Sequence, residues 1–326
     1  MNRRVTVNRL CVATFTAALF ACDSKPKVAD TPASDATAGQ LPAGESFLDV
    51  PGGKIWYKVT GNGSGTPVIL LHGGPGFTSV YLKSLEAIGD VRKVVRYDQL
   101  GSGNSTKISD TAMFTIPHFV AELEALRAHL GYDKIHVLGH SWGTILALEY
   151  YRAHPERVAS LIFASPALDI PAWEAHARKL VKTLPDSSQH IIEKREAEKN
   201  YQSPDYQAAM MEFYGKYVWL RPIKADMDSM FAGANMEIYN YMYGPSEFTT
   251  VGTLKHYDGT RYLKNVRVPA LFLVGDVDEA DPATVKRHAS MTPASEYAVI
   301  ANSAHMITWD NPADTNRLVS SFLNSR

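Results

Sequence analysis

The sequence predicts an α/β fold with a mostly parallel central sheet, helices on both faces and an inserted helical cap. Short apolar runs of the kind found in strands buried on both faces recur along the chain, at residues 66–71, 91–97, 134–138, 158–164 and 268–274. Segments with helical periodicity separate several of these runs. This alternation of strands and helices is typical of a parallel sheet covered by helices.

Composition narrows the classes of function. The chain has 326 residues, enough for one large domain or for a core domain with an insertion. Its 33 basic and 34 acidic residues nearly balance, and no basic run is present, so we expect no nucleic-acid partner. Cysteine and histidine spacings of metal sites are missing from the sequence, and no dinucleotide fingerprint occurs. We therefore expect neither a metal nor a cofactor, while the oligomeric state stays open.

The N-terminus has the features of an export signal. Three arginines lie within the first nine residues, and the apolar stretch 10–21 follows, too short to span a bilayer. A small residue directly before Cys22 resembles a bacterial lipoprotein cleavage site. Residues 1–21 are thus predicted to be removed and Cys22 to carry a lipid; an ordinary secretory signal cut nearby is the alternative. The predicted location is the periplasm or cell envelope of a bacterium, with membrane contact only through the lipid.

The segment that follows the signal is predicted to be a flexible tether. Residues 22–45 are rich in Ala, Pro, Ser, Thr and Asp and hold almost no large apolar side chains. Alternating apolar residues then begin at 46, and a Pro-Gly-Gly turn at 51–53 predicts a β-hairpin over 46–60. The α/β core is expected to span 46–166 and 261–326.

The middle of the chain differs from its two flanks in hydrophobic periodicity and in its content of charged and aromatic residues. Residues 116–130 have apolar side chains at helical spacing, and residues 144–154 predict another helix directly after a strand. From about 167, charged and aromatic residues increase and the periodicity becomes helical, so we expect a helical cap over 167–260. Strand patterns return at 268–274 and 297–301, and a helix is predicted over 312–323.

One short motif predicts a nucleophile. Residues 139–143, Gly-His-Ser-Trp-Gly, fit the G-x-S-x-G pattern and lie between a predicted strand and a predicted helix. This context predicts a sharp turn that exposes Ser141 Oγ at the carboxyl edge of the sheet. A serine needs a neutral imidazole as base and a carboxylate to hold that imidazole.

The other members of a catalytic triad are predicted from chain order. In hydrolases of this fold the acid and then the histidine follow the serine. Asp278 and His305 occur in that order, each just after a predicted strand. Asp276 and Asp281 compete with Asp278 for the role of the acid.

A glycine-rich loop after the strand at 66–71 predicts an oxyanion hole. Glycines in such a place let the backbone approach a ligand closely. In α/β-hydrolases one donor comes from this loop and the other from the residue after the nucleophile. The expected donors are the amides of Gly74, or of Gly73, and of Trp142.

Five motifs in order resemble the proline iminopeptidase family of α/β-hydrolases. They lie at residues 72–76, 97–103, 139–143, 244–248 and 303–306. The resemblance covers about 46–326 and implies the α/β-hydrolase fold, Ser141 as nucleophile, and Asp278 and His305 as its triad partners. Members of the family release an N-terminal residue, often proline, from short peptides, and some relatives act on amino-acid amides or esters.

The resemblance also implies how the substrate is bound. The family uses acidic cap residues to bind the free α-amine, and Glu247 lies in the matching Gly-Pro-x-Glu-Phe motif. Glu212 and Glu237 are candidates for a second acid. The expected substrate is therefore a short peptide or an amino-acid amide, with a proline or another small apolar first residue. The alternative is an esterase or amidase of the same fold acting on a non-peptide ester, lactone or amide.

Overall fold

The computed structural model describes residues 43–326. The predicted signal peptide, the lipidation at Cys22 and all but the last three residues of the tether lie outside the described residues. Within the described part, the first strand begins at Gly44, so the end of the predicted tether already belongs to the sheet. None of the described helices combines the length and the apolar character that crossing a membrane requires.

The centre of the molecule is a sheet of eight strands in the order β1-β2-β4-β3-β5-β6-β7-β8. The strands are β1 (Gly44–Val50), β2 (Gly53–Thr60), β3 (Gly65–Leu71), β4 (Arg92–Tyr97), β5 (Ile135–His140), β6 (Val158–Ala164), β7 (Ala270–Gly275) and β8 (Ser295–Ile300). The pairs β1–β2 and β2–β4 are antiparallel, and all other pairs are parallel. The predicted α/β-hydrolase fold is confirmed.

Eleven α-helices accompany the described strands. They are α1 (Ile116–His129), α2 (Trp142–Ala153), α3 (Ile170–Val181), α4 (Asp186–Ala197), α5 (Pro204–Tyr217), α6 (Lys224–Gly233), α7 (Met236–Met242), α8 (Thr260–Leu263), α9 (Pro282–Met291), α10 (Ile307–Asp310) and α11 (Pro312–Asn324). A 3₁₀ helix at Ser79–Ile88 precedes β4. Neither this helix nor α9 was predicted.

Both faces of the sheet are buried, as the apolar strand runs predict. In β3, Ile69 and Leu71 join one apolar cluster, whereas Val68 and Leu70 join the other. This division follows from the two-residue period of a strand. Helices α1 and α2 contribute to the first cluster, and the 3₁₀ helix and α11 contribute to the second.

Six described α-helices, α3 to α8, lie between β6 and β7, and the first five lie wholly within the segment expected to form a cap. The end of α5 is hydrogen-bonded directly to the core. The carbonyl of Tyr217 accepts from the amides of Glu279 and His305 at 3.3 and 3.1 Å, and the carbonyl of Val218 accepts from Met306 at 2.7 Å. The cap therefore fixes two loops at the carboxyl edge of the sheet, where ligands bind in open α/β folds.

Candidate active site

Ser141 lies in the sharp turn between β5 and α2. Its φ is 55° and its ψ −123°, an uncommon conformation for a residue with a side chain. Such a residue costs of order 1–3 kcal/mol, which the surrounding structure must offset. The turn also needs its glycines: a Cβ on Gly139 would lie 2.2 Å from the carbonyl oxygen of Gly143, and one on Gly143 2.2 Å from that of Leu71.

His305 and Asp278 form a buried pair. The Nδ1 atom of His305 lies 2.9 Å from Oδ1 of Asp278. The carboxylate also accepts from Ser165 Oγ at 2.6 Å and from the amides of Gly275 and Ala280 at 3.1 and 2.8 Å. Because an ionised carboxylate only accepts, Nδ1 carries the proton and Nε2 is left to act as a base.

The two competing aspartates have other contacts. Asp276 accepts from the amides of Asn302 and Ser303, both at 2.9 Å, and so holds the loop that leads to His305. Asp281 accepts from backbone amides at the start of α9 and caps that helix. Among the three aspartates, the structure thus brings Asp278 to the histidine.

Ser141 and His305 face one cavity, which Gly74 and Glu247 also line. No hydrogen bond joins Ser141 Oγ to His305 within residues 43–326. Hydrogen bonds between nucleophile and base are often long without substrate and shorten in the complex. The arrangement can support transfer of the serine proton to Nε2 and acyl transfer to Oγ.

Two backbone amides next to Ser141 have no hydrogen-bond acceptor among residues 43–326 and can bind an oxyanion. Trp142 is the first residue of α2, so its amide has no partner inside the helix. Gly74 follows β3 and lines the cavity beside Ser141. The amide of Gly73 is already used, because it donates to the hydroxyl of Tyr81 at 2.5 Å. Of the two candidate glycines, the geometry favours Gly74 as the second donor.

Glu247 reaches the cavity from the segment that follows α7. Its side chain is half-buried, and Tyr239 donates a 2.6 Å hydrogen bond to Oε1. Its backbone carbonyl accepts from Trp173 Nε1 at 3.2 Å and from the hydroxyl of Tyr243 at 3.1 Å. Burial raises the pKa of the Glu247 carboxyl, although the Tyr239 hydrogen bond opposes this effect. The second oxygen is thus available to a cation.

The structure does not bring the two other candidate acids to this site. Glu212 on α5 accepts from Ser188 Oγ at 2.6 Å and lies near Lys216. Glu237 is exposed at the start of α7 and lines a separate surface depression with Lys107. Neither residue lines the cavity that contains Ser141.

Glu279 is a site residue that the sequence reasoning missed. It is fully buried, and neither carboxyl oxygen has a hydrogen-bond partner among the described residues. Its Oε1 lies 3.9 Å from Nε2 of His305. Burial, followed by the nearby Glu247 and Asp278, raises the pKa of Glu279 well above its usual value. The only sequence signal was an acidic residue directly after the triad acid.

Comparison with known proteins gives matches over most of the chain. A family model described as the alpha/beta hydrolase fold matches residues 66–312. The chain is 41% identical to a proline iminopeptidase of Heyndrickxia coagulans, with 86% of this chain and 99% of that protein covered. The crystal structure of VinJ has a TM-score of 0.82 at 31% identity and covers 87% of this chain and 99% of VinJ. The crystal structure of a Mycobacterium smegmatis proline iminopeptidase has a TM-score of 0.80 at 31% identity, with coverage of 86% and 98%.

Proposed function

The chain belongs to the proline iminopeptidase family of α/β-hydrolases, and we propose that it is a serine aminopeptidase releasing the first residue of short peptides or amino-acid amides. One structural observation, besides family membership, supports a substrate with a free amine. A half-buried carboxyl, Glu247, and a fully buried one, Glu279, lie near His305, and no Lys or Arg pairs with either among the described residues. A buried carboxylate without a cation is costly, so the pair fits a cation that arrives with the substrate.

The substrate's α-ammonium is the cation that this site fits. One oxygen of Glu247 accepts from Tyr239, which leaves its other oxygen for an ammonium in the cavity that Glu247 lines. Glu279 lines neither cavity at Ser141 and contributes a buried carboxyl 3.9 Å from Nε2 of His305. Charge-assisted hydrogen bonds from an ammonium to these oxygens are about twice as strong as neutral ones. A blocked N-terminus would lose them and leave buried carboxyls unpaired, so the site selects for free amines.

The proposed reaction is acyl transfer through Ser141. Oγ attacks the carbonyl carbon of the first residue while Nε2 of His305 takes the hydroxyl proton, and Asp278 holds the imidazole. The negative oxygen that forms accepts from the amides of Trp142 and Gly74; loss of one such donor typically lowers the rate ~10²–10³-fold. His305 then protonates the departing amine, and a water molecule activated by the same histidine releases the acyl group.

We assign the side chain of the first residue to a second, smaller and narrow cavity. It shares Gly74, Ser141 and Glu247 with the larger cavity. Its remaining lining is mainly apolar and comes from α2, α3 and neighbouring segments: Ile145, Ala167, Ile170, Trp173, Tyr243 and Leu254. A small apolar residue such as proline suits these walls, which bury the side chain while Glu247 remains close to the amine.

The test compares substrates that differ only in the amine. Proline and alanine aryl-amides are assayed against N-acetylated copies and a short aryl ester, with Ser141→Ala as the inactive reference. We expect turnover of the free-amine amides, loss of turnover on acetylation, and loss of turnover in Glu247→Gln. The matched control is Glu237→Gln, an exposed cap glutamate outside the cavity. Ester cleavage without any amide turnover would refute the aminopeptidase and leave an esterase of the same fold.

The same proposal includes export and lipidation at Cys22, which the N-terminal sequence supports. Labelled fatty acid should be incorporated by the full precursor expressed in a bacterium and not by its Cys22→Ser variant. Equal labelling of both proteins, or recovery of both from the cytoplasm with residues 1–21 attached, would contradict it.

A further inference from the structure

Three buried side chains connect the two backbone segments that carry the oxyanion donors. His72 lies in the loop after β3, Gln99 lies in the turn after β4, and Trp142 begins α2. Their exposed fractions are 0%, 1% and 2%. None of the three is assigned a chemical step in the reaction through its side chain. Their hydrogen bonds form one continuous chain.

The first part of the chain fixes the peptide between Gly73 and Gly74. The amide of Gln99 donates to Nε2 of His72 at 3.0 Å, so the proton of the neutral ring lies on Nδ1. Nδ1 then donates to the carbonyl of Gly73 at 2.9 Å. Burial lowers the pKa of His72, which keeps the ring neutral as this pattern requires.

The direction of the Gly74 amide follows from this bond. In a trans peptide the carbonyl and the N–H of the same unit point in opposite directions. With the Gly73 carbonyl held towards the His72 ring, the N–H of Gly74 must point away from that ring. Since Gly74 lines both cavities beside Ser141, this orientation presents its N–H to the substrate.

The second part of the chain is the side chain of Gln99. Its Nε2 donates to the carbonyl of His72 at 3.0 Å, and its Oε1 accepts from Nε1 of Trp142 at 2.9 Å. A carbonyl only accepts and an indole N–H only donates, so the amide has one allowed orientation. Glutamate lacks the donor and asparagine is shorter, so neither can make both bonds in place.

We propose that Gln99 is a positioning residue of the oxyanion hole, which holds the Gly74 and Trp142 amides at a fixed separation. The inference rests on the proposed role of Ser141 as the nucleophile. The turn that carries Gln99 has anchors independent of the Gln99 side chain. Leu100 donates its amide to Glu122 at 2.9 Å, and Ser102 donates its hydroxyl to the Gln99 carbonyl at 2.9 Å. Shortening the Gln99 side chain should therefore leave the turn folded.

The test is the steady-state kinetics of Gln99→Ala with a proline aryl-amide. We expect kcat to fall about 10- to 100-fold, since small displacements of catalytic groups have effects of that order, while KM changes less than about 2-fold. Prolinal, an aldehyde that forms a tetrahedral adduct with a serine, should bind more weakly by the same factor as the loss in kcat/KM. Prolinol, an alcohol that keeps the ring and the amine but has no carbonyl and so forms no oxyanion, should bind as it does to wild type.

Two further variants separate positioning from a general loss of structure. Ser102→Ala touches the same turn without touching the Gln99 side chain, so it should keep wild-type kcat even if it lowers the melting temperature. Trp142→Phe removes the same indole bond and keeps the backbone amide. Combined with Gln99→Ala, it should add little to the effect of the single change, because both remove one shared contact.

The outcomes distinguish failure of this inference from failure of the proposed function. If a fluorophosphonate does not label Ser141 in wild type, the proposed function itself is wrong. If wild type is labelled and active, and folded Gln99→Ala keeps its kcat or changes only in KM, the positioning role is refuted. Equal losses in Gln99→Ala and Ser102→Ala would likewise refute it.

Discussion

Replacing Glu279 by glutamine should convert the chain into an enzyme with a weakened requirement for the free amine. The change is nearly isosteric and removes the negative charge that the bound ammonium would face. It leaves Asp278, the adjacent triad acid, with all its hydrogen bonds, which come from Ser165, Gly275, Ala280 and His305. The chemistry at the carbonyl should therefore continue.

The size of the effect follows from the contacts of the carboxyl. Both oxygens of Glu279 are buried and have no hydrogen-bond partner among the described residues, so an ammonium that reached them would be their first donor. Hydrogen bonds to charged groups contribute about 1.5–3 kcal/mol. At about 1.4 kcal/mol per factor of ten, Glu279→Gln should lower kcat/KM for a proline aryl-amide about 10- to 150-fold.

The assay is a ratio of two substrates on the same protein. kcat/KM is measured for the proline aryl-amide and for a short neutral aryl ester, which uses Ser141 and His305 but has no amine. The ester value should change less than about 3-fold. Glu212→Gln is the control, because Glu212 bonds to Ser188 outside the cavity. Equal losses on amide and ester would refute amine binding by Glu279 and assign it a role in supporting His305.

Three other predictions concern the same buried groups. The raised pKa of Glu279 means that its carboxyl ionises only at a pH above 4.5, and the ionised form is the one that binds an ammonium. KM for free-amine amides should therefore fall as the pH rises above 4.5, whereas the KM of the ester should not change. Glu279→Leu should raise the free energy of unfolding by about 1–3 kcal/mol in denaturant titrations, since it removes an unpaired buried polar group; an unchanged midpoint would contradict this. Tyr81→Phe should lower the free energy of unfolding by about 1–3 kcal/mol, because Gly73 N–H and His140 Nδ1 both lose their partner; a variant as stable as wild type would show that water replaces the hydroxyl.

The sequence predicted the fold because its signals are local and repeated. The strand at 158–164 was predicted with the bounds that β6 has, and the helix at 312–323 differs from α11 by one residue. Apolar runs, helical periods and glycine turns are encoded by neighbouring residues, so one chain suffices to recognise them. Helix α9 was not predicted, because it has only ten residues and half of them are polar.

The active-site residues were less predictable than the fold, because the spacing of residues along the sequence does not show which side chains become buried. Chain order pointed to Ser141 and His305, and the sequence favoured Asp278 as the acid, but it left Asp276 and Asp281 as competitors in the same acidic turn. The hydrogen bond from His305 makes that choice. Glu279 lies in the same turn and differs from its neighbours only in how the cap encloses it.

The contact between the cap and this turn brings forward a candidate acid that the sequence did not suggest. Glu212 and Glu237 lie on cap helices, as the resemblance suggested. The structure instead brings a core residue under the cap, where the carbonyl of Tyr217 holds the amide of Glu279 at 3.3 Å. A contact between segments some sixty residues apart leaves no trace in local sequence patterns.

If Glu279 binds the amine, its short distance from His305 determines how far the cleaved bond can lie from the N-terminus. Backbone geometry separates an α-amine nitrogen from the carbonyl carbon of its own residue by about 2.5 Å, and each further residue adds up to about 3.8 Å. A carboxyl oxygen 3.9 Å from the catalytic nitrogen can therefore hold the amine only when the first peptide bond faces Ser141. In an N-terminal β-amino acid, which is longer by one methylene, the carbonyl carbon would be displaced from Ser141 while the amine is bound. An ordinary peptide would be shortened from its N-terminus by one residue per reaction cycle.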